Sequence, residues 1–357
     1  MTYQEIANYR LASQKLFKKI PEKPEEIVQH LGAMQAQDYA MAKWAIGSRC
    51  DATEKVIEGA INSAKIIRTH ILRPTWHFVA ADDIHWMLAL SAPQVKRFTA
   101  SAAKKYDFDA KKLNQINAKI EKLLTGNNHL TRDEIMQELD IKRSSAQDFL
   151  SAVIMMNAEL DGLVCNGKMK SKQITYALLE ERVPKPTIIL SKEEALAKLA
   201  KRYFDSHGPA TLLDFSWWSG FSPTTVMSVI NSIESELNSV EIDNQKYWFE
   251  TDLPHLNDFR ESVHFLPAFD EILISYKTRE ASILLEHQSK AFTRNGIFKP
   301  IILENGKVIG TWKRTIKKDN TKIKTEFFAA VDKTKESAIF EAIKPFENYL
   351  QTRISVE

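Results

Sequence analysis

Gln35-Ala36-Gln37, followed at once by Asp38, is the segment of this 357-residue chain whose residue types and spacing point most directly to chemistry. Two residues apart, the amides lie on roughly opposite sides of an α-helix but on the same side of an extended segment. The stretch before them carries Ile27, Val28, Leu31 and Met34 at helical spacing, so the motif falls at the end of a helix. For both amides to face one substrate, that helix must end or distort near Ala36. The plain alternative is a polar helix end whose glutamines bond solvent or backbone. Asp38 competes as a general base, and it also suits a capping role at the break that would present the glutamines.

The other chemistry-bearing residues exclude more than they offer. Nine histidines contain no HxxxH or HExxH pair, and His70 and His77 stand seven apart across Pro74, so no metal site is expected. Cys50 and Cys165 are isolated, which excludes a disulfide framework and a cysteine zinc site. No Gly-x-Ser-x-Gly elbow, GxGxxG or GxxxxGK[ST] occurs among eleven glycines, so neither a serine hydrolase nor a phosphate-cradling nucleotide fold is indicated and no cofactor is expected. No apolar run approaches the roughly 18–20 residues of a membrane helix, and the N-terminus is polar. A soluble, cytoplasmic protein is the expectation.

The elements that must position the motif follow a recurring order. Ile6, Tyr9, Ala12, Leu16 and Ile20 mark a first helix, and a second begins after Pro21-Glu22-Lys23-Pro24. A further helix is expected from about Thr53 to Ser63. Ile66–Val79, rich in β-branched and aromatic residues around Arg73-Pro74, reads as two strands and a turn. Two later segments repeat this outline. One starts at Leu130-Thr131, with Thr131 and Glu134 spaced as a capping box, passes through an apolar helix over 146–160, and ends in strands around 162–168 and 173–178. The other starts at Ala210-Thr211, carries a long helix from Pro223, and ends in a hairpin over 240–249. Helices followed by a β-hairpin form the outline of a winged helix, and Pro184 and Pro186 mark a linker between the two repeats. Beyond residue 262 the chain turns strand-rich and closes with a helix over about 335–350. The Trp217-Trp218 pair reads as core.

Net charge, 49 − 46 = +3, is a weak vote against nucleic acid. Its distribution reverses that vote. Residues 305–325 hold seven Lys/Arg and one acid (+6), 96–119 hold seven and two (+5), and 226–262 hold two basic and eight acidic residues (−6). Lysines alternating on a strand are an ordinary solvated face. Lys313, Arg314, Lys317 and Lys318 around a hairpin also suit phosphate contacts, with Trp312 available for stacking.

The chain resembles the AlkZ-like, YcaQ-related winged-helix DNA glycosylases. The resemblance rests on Gln35-Ala36-Gln37 as a Gln-apolar-Gln motif and on Leu72-Arg73-Pro74-Thr75-Trp76-His77, Ser206-His207-Gly208-Pro209-Ala210-Thr211, Asp214-Phe215-Ser216-Trp217-Trp218-Ser219-Gly220, Phe265–Glu271 and Asn305–Trp312, in that order. It spans about residues 4–350. It implies an α+β, mainly helical fold of three tandem winged-helix units and a C-terminal β-barrel-like domain. The expected division is 1–85 carrying the glutamine motif, 86–183 with leading helices, 191–255, and 262–357 with its terminal helix. It implies monofunctional excision of alkylated purines from double-stranded DNA, chiefly N7-alkylguanine, and in some members the unhooking of interstrand crosslinks. Gln35 and Gln37 would then jointly position water and stabilise the sugar cation. Asp38, Trp76 and His77 would be supporting residues, and Arg73, Lys313, Arg314, Lys317 and Lys318 would contact DNA. A monomer associated with the nucleoid is the corresponding expectation. The residues leave two other classes open: a non-enzymatic winged-helix regulator or architectural DNA binder, and a protein-interaction scaffold.

Overall fold

The computed structural model describes residues 1–17, 23–104, 109–141, 145–250, 254–255, 258–316, 320–330 and 333–356, with backbone alone at 98, 101–104, 145–147 and 333–336. The chain is α+β and divides into two compact units, Met1–Glu58 with Ala197–Glu357, and Gly59–Leu196.

In the first unit the N-terminal helix Tyr3–Ser13 is started by a reciprocal capping box between Thr2 and Glu5. Its apolar side packs on the C-terminal half of the unit: Leu11 shares a core with Leu266, Ile272, Ile274, Ile301, Leu303 and Val308. The approach is close enough that a Cβ at Gly306 would lie 2.7 Å from that of Ala7. The core's sheet has five strands in the order Ile354–Val356, Thr321–Phe327, Lys307–Ile316, Ile301–Glu304 and Val263–Leu266. Pairing is antiparallel except where Ile354–Val356 joins alongside Thr321–Phe327. Helices Leu212–Ser219 and Pro223–Ile233, with the hairpin Asn238–Ile242 and Gln245–Phe249, follow the expected order, each helix opened by a side-chain cap.

Two expectations need correction here. The closing helix is two helices, Lys333–Glu341 and Lys344–Leu350. Pro345 in the first turn of the second lacks the N–H that a continuous helix would need there. Of the tryptophan pair, Trp218 is fully buried but Trp217 is 38% exposed. Successive residues on a helix point about 100° apart, so one core cannot take both.

In the second unit strands Ile66–His70 and Trp76–Ala80 form a hairpin, paired from Ile66↔Ala80 to His70↔Trp76. The long helix Ala81–Lys104 and helix Ala110–Leu124 lead to Arg132–Glu138, where Thr131 and Glu134 form the capping box read from the sequence. Helix Ser145–Leu160 and strands Val164–Asn166 and Thr175–Leu178 complete the segment. Ile120, Leu124, Ile135, Ile154, Ala158 and Val164 form its core. No described helix is long and apolar enough to cross a membrane. Among the described residues no group of three or more His, Cys, Asp or Glu side chains could hold a metal ion.

One group in the first unit gives a pH prediction. Half-buried Asp205 on helix Lys192–His207 is pushed up from 3.8 to about 6 by burial and by the charge of Glu250. The folded state therefore holds this proton more tightly than the unfolded chain, and its contribution is lost as pH rises through that window. Asp205→Asn should raise the melting temperature at pH 7.5 and remove the descending part of the melting-temperature curve between about pH 4 and 6. Calorimetry across that range checks it, and superimposable curves for variant and parent would refute it.

Candidate active site

The glutamine segment is a break between two helices. Helix Pro24–Leu31 stops at Gly32, whose φ of +79° is accessible to glycine without strain. Met34–Gln35 is extended, and helix Tyr39–Cys50 begins directly after Asp38. Met34, expected on the helix face, lies beyond the helix end. Asp38 is that second helix's cap: its Oδ1 accepts the Met41 N–H at 3.1 Å. Ala33, Met34 and Ala36 are fully buried and anchor the segment, leaving the polar residues between them at different depths. Gln35 is 7% exposed, whereas Gln37 and Asp38 are exposed.

Gly32 is held from outside as well. A Cβ there would meet Arg202 Cδ at 3.2 Å and Trp218 Cη2 at 3.4 Å. Gly32→Ala should therefore cost about 1–2 kcal/mol through the positive φ and displace the segment that follows. Thermal unfolding reads the first effect, and an unchanged melting temperature would mean that the turn relaxes freely.

Below the segment lies a buried polar frame that the sequence reading missed. The Gln35 backbone N–H donates to Glu271 Oε1 at 2.7 Å, and Ser275 Oγ donates to Glu271 Oε2. Asp270, the preceding residue, caps the short helix Glu271–Ile274 through the Ile272 N–H and takes a two-pronged bond from Arg49, both arms at 2.9 Å. Arg49 Nε also donates to Gln14 O at 2.9 Å. The signal was two adjacent acids inside the apolar run Phe265–Ile274, a pattern unusual enough to ask what pairs with them. At the start of helix Tyr39–Cys50, Lys43 is buried and bonded to Glu54 at 2.8 Å and Glu58 at 2.7 Å.

Trp312 is not a stacking platform. It is 1% exposed, donates its indole N–H to Leu266 O at 2.8 Å, and meets Phe265 and Phe346 edge-on. Alternation along Lys307–Ile316 turns its neighbour Lys313 outward, directly opposite Lys324. Arg314 is half-buried, with its guanidinium 5.7 Å from the Phe346 ring centre. Lys317 and Lys318 lie outside the described residues.

The remaining expected residues belong to the second unit. Trp76 is half-buried, with the Arg68 guanidinium 4.4 Å and the His70 ring 4.5 Å from it, and its indole N–H meets Glu159 Oε1 at 3.4 Å. His70 Nδ1 also pairs with Glu159 Oε2, under the hairpin. His77 is 1% exposed, bonded through Nδ1 to Thr75 O at 2.9 Å, and lies 3.4 Å from Arg73. Burial, then the Arg73 charge, holds its pKa well below the ordinary histidine value, so the ring is neutral. Its surroundings are those of a packed residue that steadies Arg73, whose own side chain is half-buried.

The chain is 21% identical over 333 residues to a Streptomyces sahachiroi protein named interstrand DNA cross-link repair glycosylase, covering 87% of each sequence. It superposes on the solved structure of Streptomyces sahachiroi DNA glycosylase AlkZ with a TM-score of 0.82 at 18% identity, covering 100% of both chains. The model of the family described as DNA glycosylase AlkZ-like matches residues 28–349. This chain belongs to that family.

Proposed function

We propose that this protein is a DNA repair glycosylase that hydrolyses the N-glycosidic bond of alkylated purines, N7-alkylguanine and crosslinked purines among them, and leaves an abasic site. The observation that carries the reading is the glutamine pair on a rigid break between two helices, with the Gln37 amide exposed, in a chain of this family.

The chemistry fits a neutral motif. Departure of the base builds an oxocarbenium-like sugar, and many enzymes that cleave glycosidic bonds supply a general acid to help the leaving group. An N7-alkylated guanine already carries positive charge, so its departure needs no acid. What remains is to hold a water and stabilise the sugar cation, which an amide carbonyl does without the repulsion a carboxylate meets beside phosphate. Asp38 is committed to the Met41 N–H and serves here as the cap that fixes where the glutamines stand. A monofunctional, water-based reaction fits the state of Lys43, the lysine nearest in sequence to the motif. Its ammonium is paired with two glutamates, whereas lyase chemistry needs a free neutral amine.

The three segments of helices followed by a hairpin are read as three winged helices that carry the protein on duplex DNA. Lys313 opposite Lys324 supports a phosphate contact, since like charges facing each other across a ladder cost stability unless an anion lies over them. Arg73 and Arg314 are read as further contacts.

The test is a base-release assay on duplexes carrying N7-methylguanine, N3-methyladenine or a defined crosslink. Free modified base and an abasic product are expected. The same repeats favour one other reading, a regulator that binds DNA without cutting it. That protein would bind the damaged duplex and release nothing, and it would prefer one undamaged sequence by orders of magnitude.

A further inference from the structure

Glu271 is a buried carboxyl group with no place in the chemistry above, yet it is bonded directly to the glutamine motif. It is 1% exposed, and both its oxygens are committed, Oε1 to the Gln35 N–H at 2.7 Å and Oε2 to Ser275 Oγ. The bond ties together residues 236 apart in the chain. Helix Pro24–Leu31 has ended before Gln35 and helix Tyr39–Cys50 has not begun, so neither helical ladder can take this N–H.

The support behind Glu271 is rigid. Asp270, its neighbour, is gripped at both oxygens by Arg49 of the helix that follows the motif. One dipeptide therefore fixes two points of the same region, the glutamine segment through Glu271 and the end of the next helix through Asp270. The far side of the short helix is pinned too: Ile274 O accepts the Trp217 indole N–H at 2.9 Å, and Ser275 O accepts the Tyr203 hydroxyl at 2.9 Å. The nearest imidazole, His207, has Nε2 4.0 Å from Glu271 Oε2. Its pKa is well below the ordinary histidine value, chiefly through burial, so it brings no competing cation.

We propose that Glu271 is a positioning residue of the reaction: it sets where the glutamine amides stand by accepting the Gln35 backbone N–H, and it never touches the substrate. This rests on the glycosylase reading. Its function depends on an acceptor atom at one place, so geometry and charge can be separated. Glu271→Gln keeps an acceptor oxygen at the same reach and removes the charge. Glu271→Asp keeps the acid but withdraws it by about 1.5 Å, beyond hydrogen-bond distance of Gln35.

The experiment measures single-turnover release of 7-methylguanine with DNA saturated by protein, the DNA dissociation constant, and the melting temperature of each variant. Glu271→Gln should stay within about threefold of wild type. Glu271→Asp should lose about 100-fold in rate at unchanged DNA affinity, the scale expected when reacting groups shift by about 1 Å. Hydrogen exchange gives a second readout without substrate: amide 35 should be protected in wild type and in Glu271→Gln, and exposed in Glu271→Asp. An active Glu271→Asp overturns the inference, as does an inactive, folded Glu271→Gln, which would make the charge rather than the placement decisive. Fast exchange of amide 35 in wild type overturns it as well, even if a variant fails to fold. Wild-type protein that releases no base overturns the glycosylase reading and this inference with it, whereas active wild type beside an equally active Glu271→Asp overturns the inference alone.

Discussion

Gln37→Ala is expected to slow single-turnover release of 7-methylguanine by about 100-fold or more, while the melting temperature and the affinity for damaged duplex stay where they were. The scale is that of removing one preorganised polar group from the place where charge develops. The side chain is exposed, and among the described residues its amide makes no hydrogen bond, so its removal takes nothing from the folded protein. Its backbone is fixed independently, by the buried Ala36 before it and the Asp38 cap after it. An exposed amide on a backbone fixed in this way is free to meet a bound substrate, which is the role proposed for it. A variant with full rate would remove Gln37 from the reaction, and one with a lowered melting temperature would assign it a structural task instead.

Gln35→Ala should behave differently although the two residues look alike in the sequence. Gln35 is 7% exposed, so cutting it back empties space inside the protein and leaves less of the change to be felt by substrate. Its backbone bond to Glu271 survives the substitution, so the break itself persists. The expected result is a slower reaction together with a loss of about 1–2 kcal/mol in stability, read by urea denaturation. A fall in rate with no loss of stability would show that the Gln35 side chain, like that of Gln37, is held in reserve for substrate.

The difference between the two glutamines marks where sequence stops being informative. Local features were readable because their causes are local. The capping box of Thr131 and Glu134, the proline-led start of Pro223–Ile233 and the hairpin Asn238–Ile242 and Gln245–Phe249 each depend on residues within a few positions of one another. Period-two spacing put both glutamines on one side of an extended segment, but the chain bends at Gln37 and leaves one buried and one exposed. Burial is decided by what packs against the segment, and the partner is Glu271, separated by more than two hundred residues. The same holds for Trp312. An aromatic beside Lys313 and Arg314 reads as a stacking surface, yet strand alternation turns it into the core formed with Phe265 and Phe346. Pro345 did carry a signal for the split terminal helix, and Gly32 one for the end of the helix before the motif.

The largest effect on stability should come from Arg49→Met, a loss of about 3–5 kcal/mol. Arg49 is 0% and Asp270 2% exposed, and their two parallel bonds of 2.9 Å use the planar match between guanidinium and carboxylate. Whatever the pair contributes net of desolvation, removing one member leaves the other buried, and that asymmetry sets the magnitude. After the change Asp270 keeps the Ile272 N–H, one donor for a carboxylate that had three bonds. Gln14 O and the Gln14 side chain lose their contacts to Arg49 at the same stroke. Arg49→Lys separates charge from shape: a lysine supplies the cation but not the fork, and it cannot reach Gln14 and both oxygens together, so it should recover only part of the loss. Asp270 also stands next to Glu271, so the consequence should reach the reaction. Folded Arg49→Lys protein should release base more slowly than wild type and show faster exchange at amide 35, because the dipeptide that holds both anchors has lost one of them. Unfolding curves for Arg49→Met that overlay the parent's would mean that the pair is bystander packing. Full recovery by lysine would mean that charge alone, rather than the two-pronged geometry, ties the glutamine break to the helix behind it.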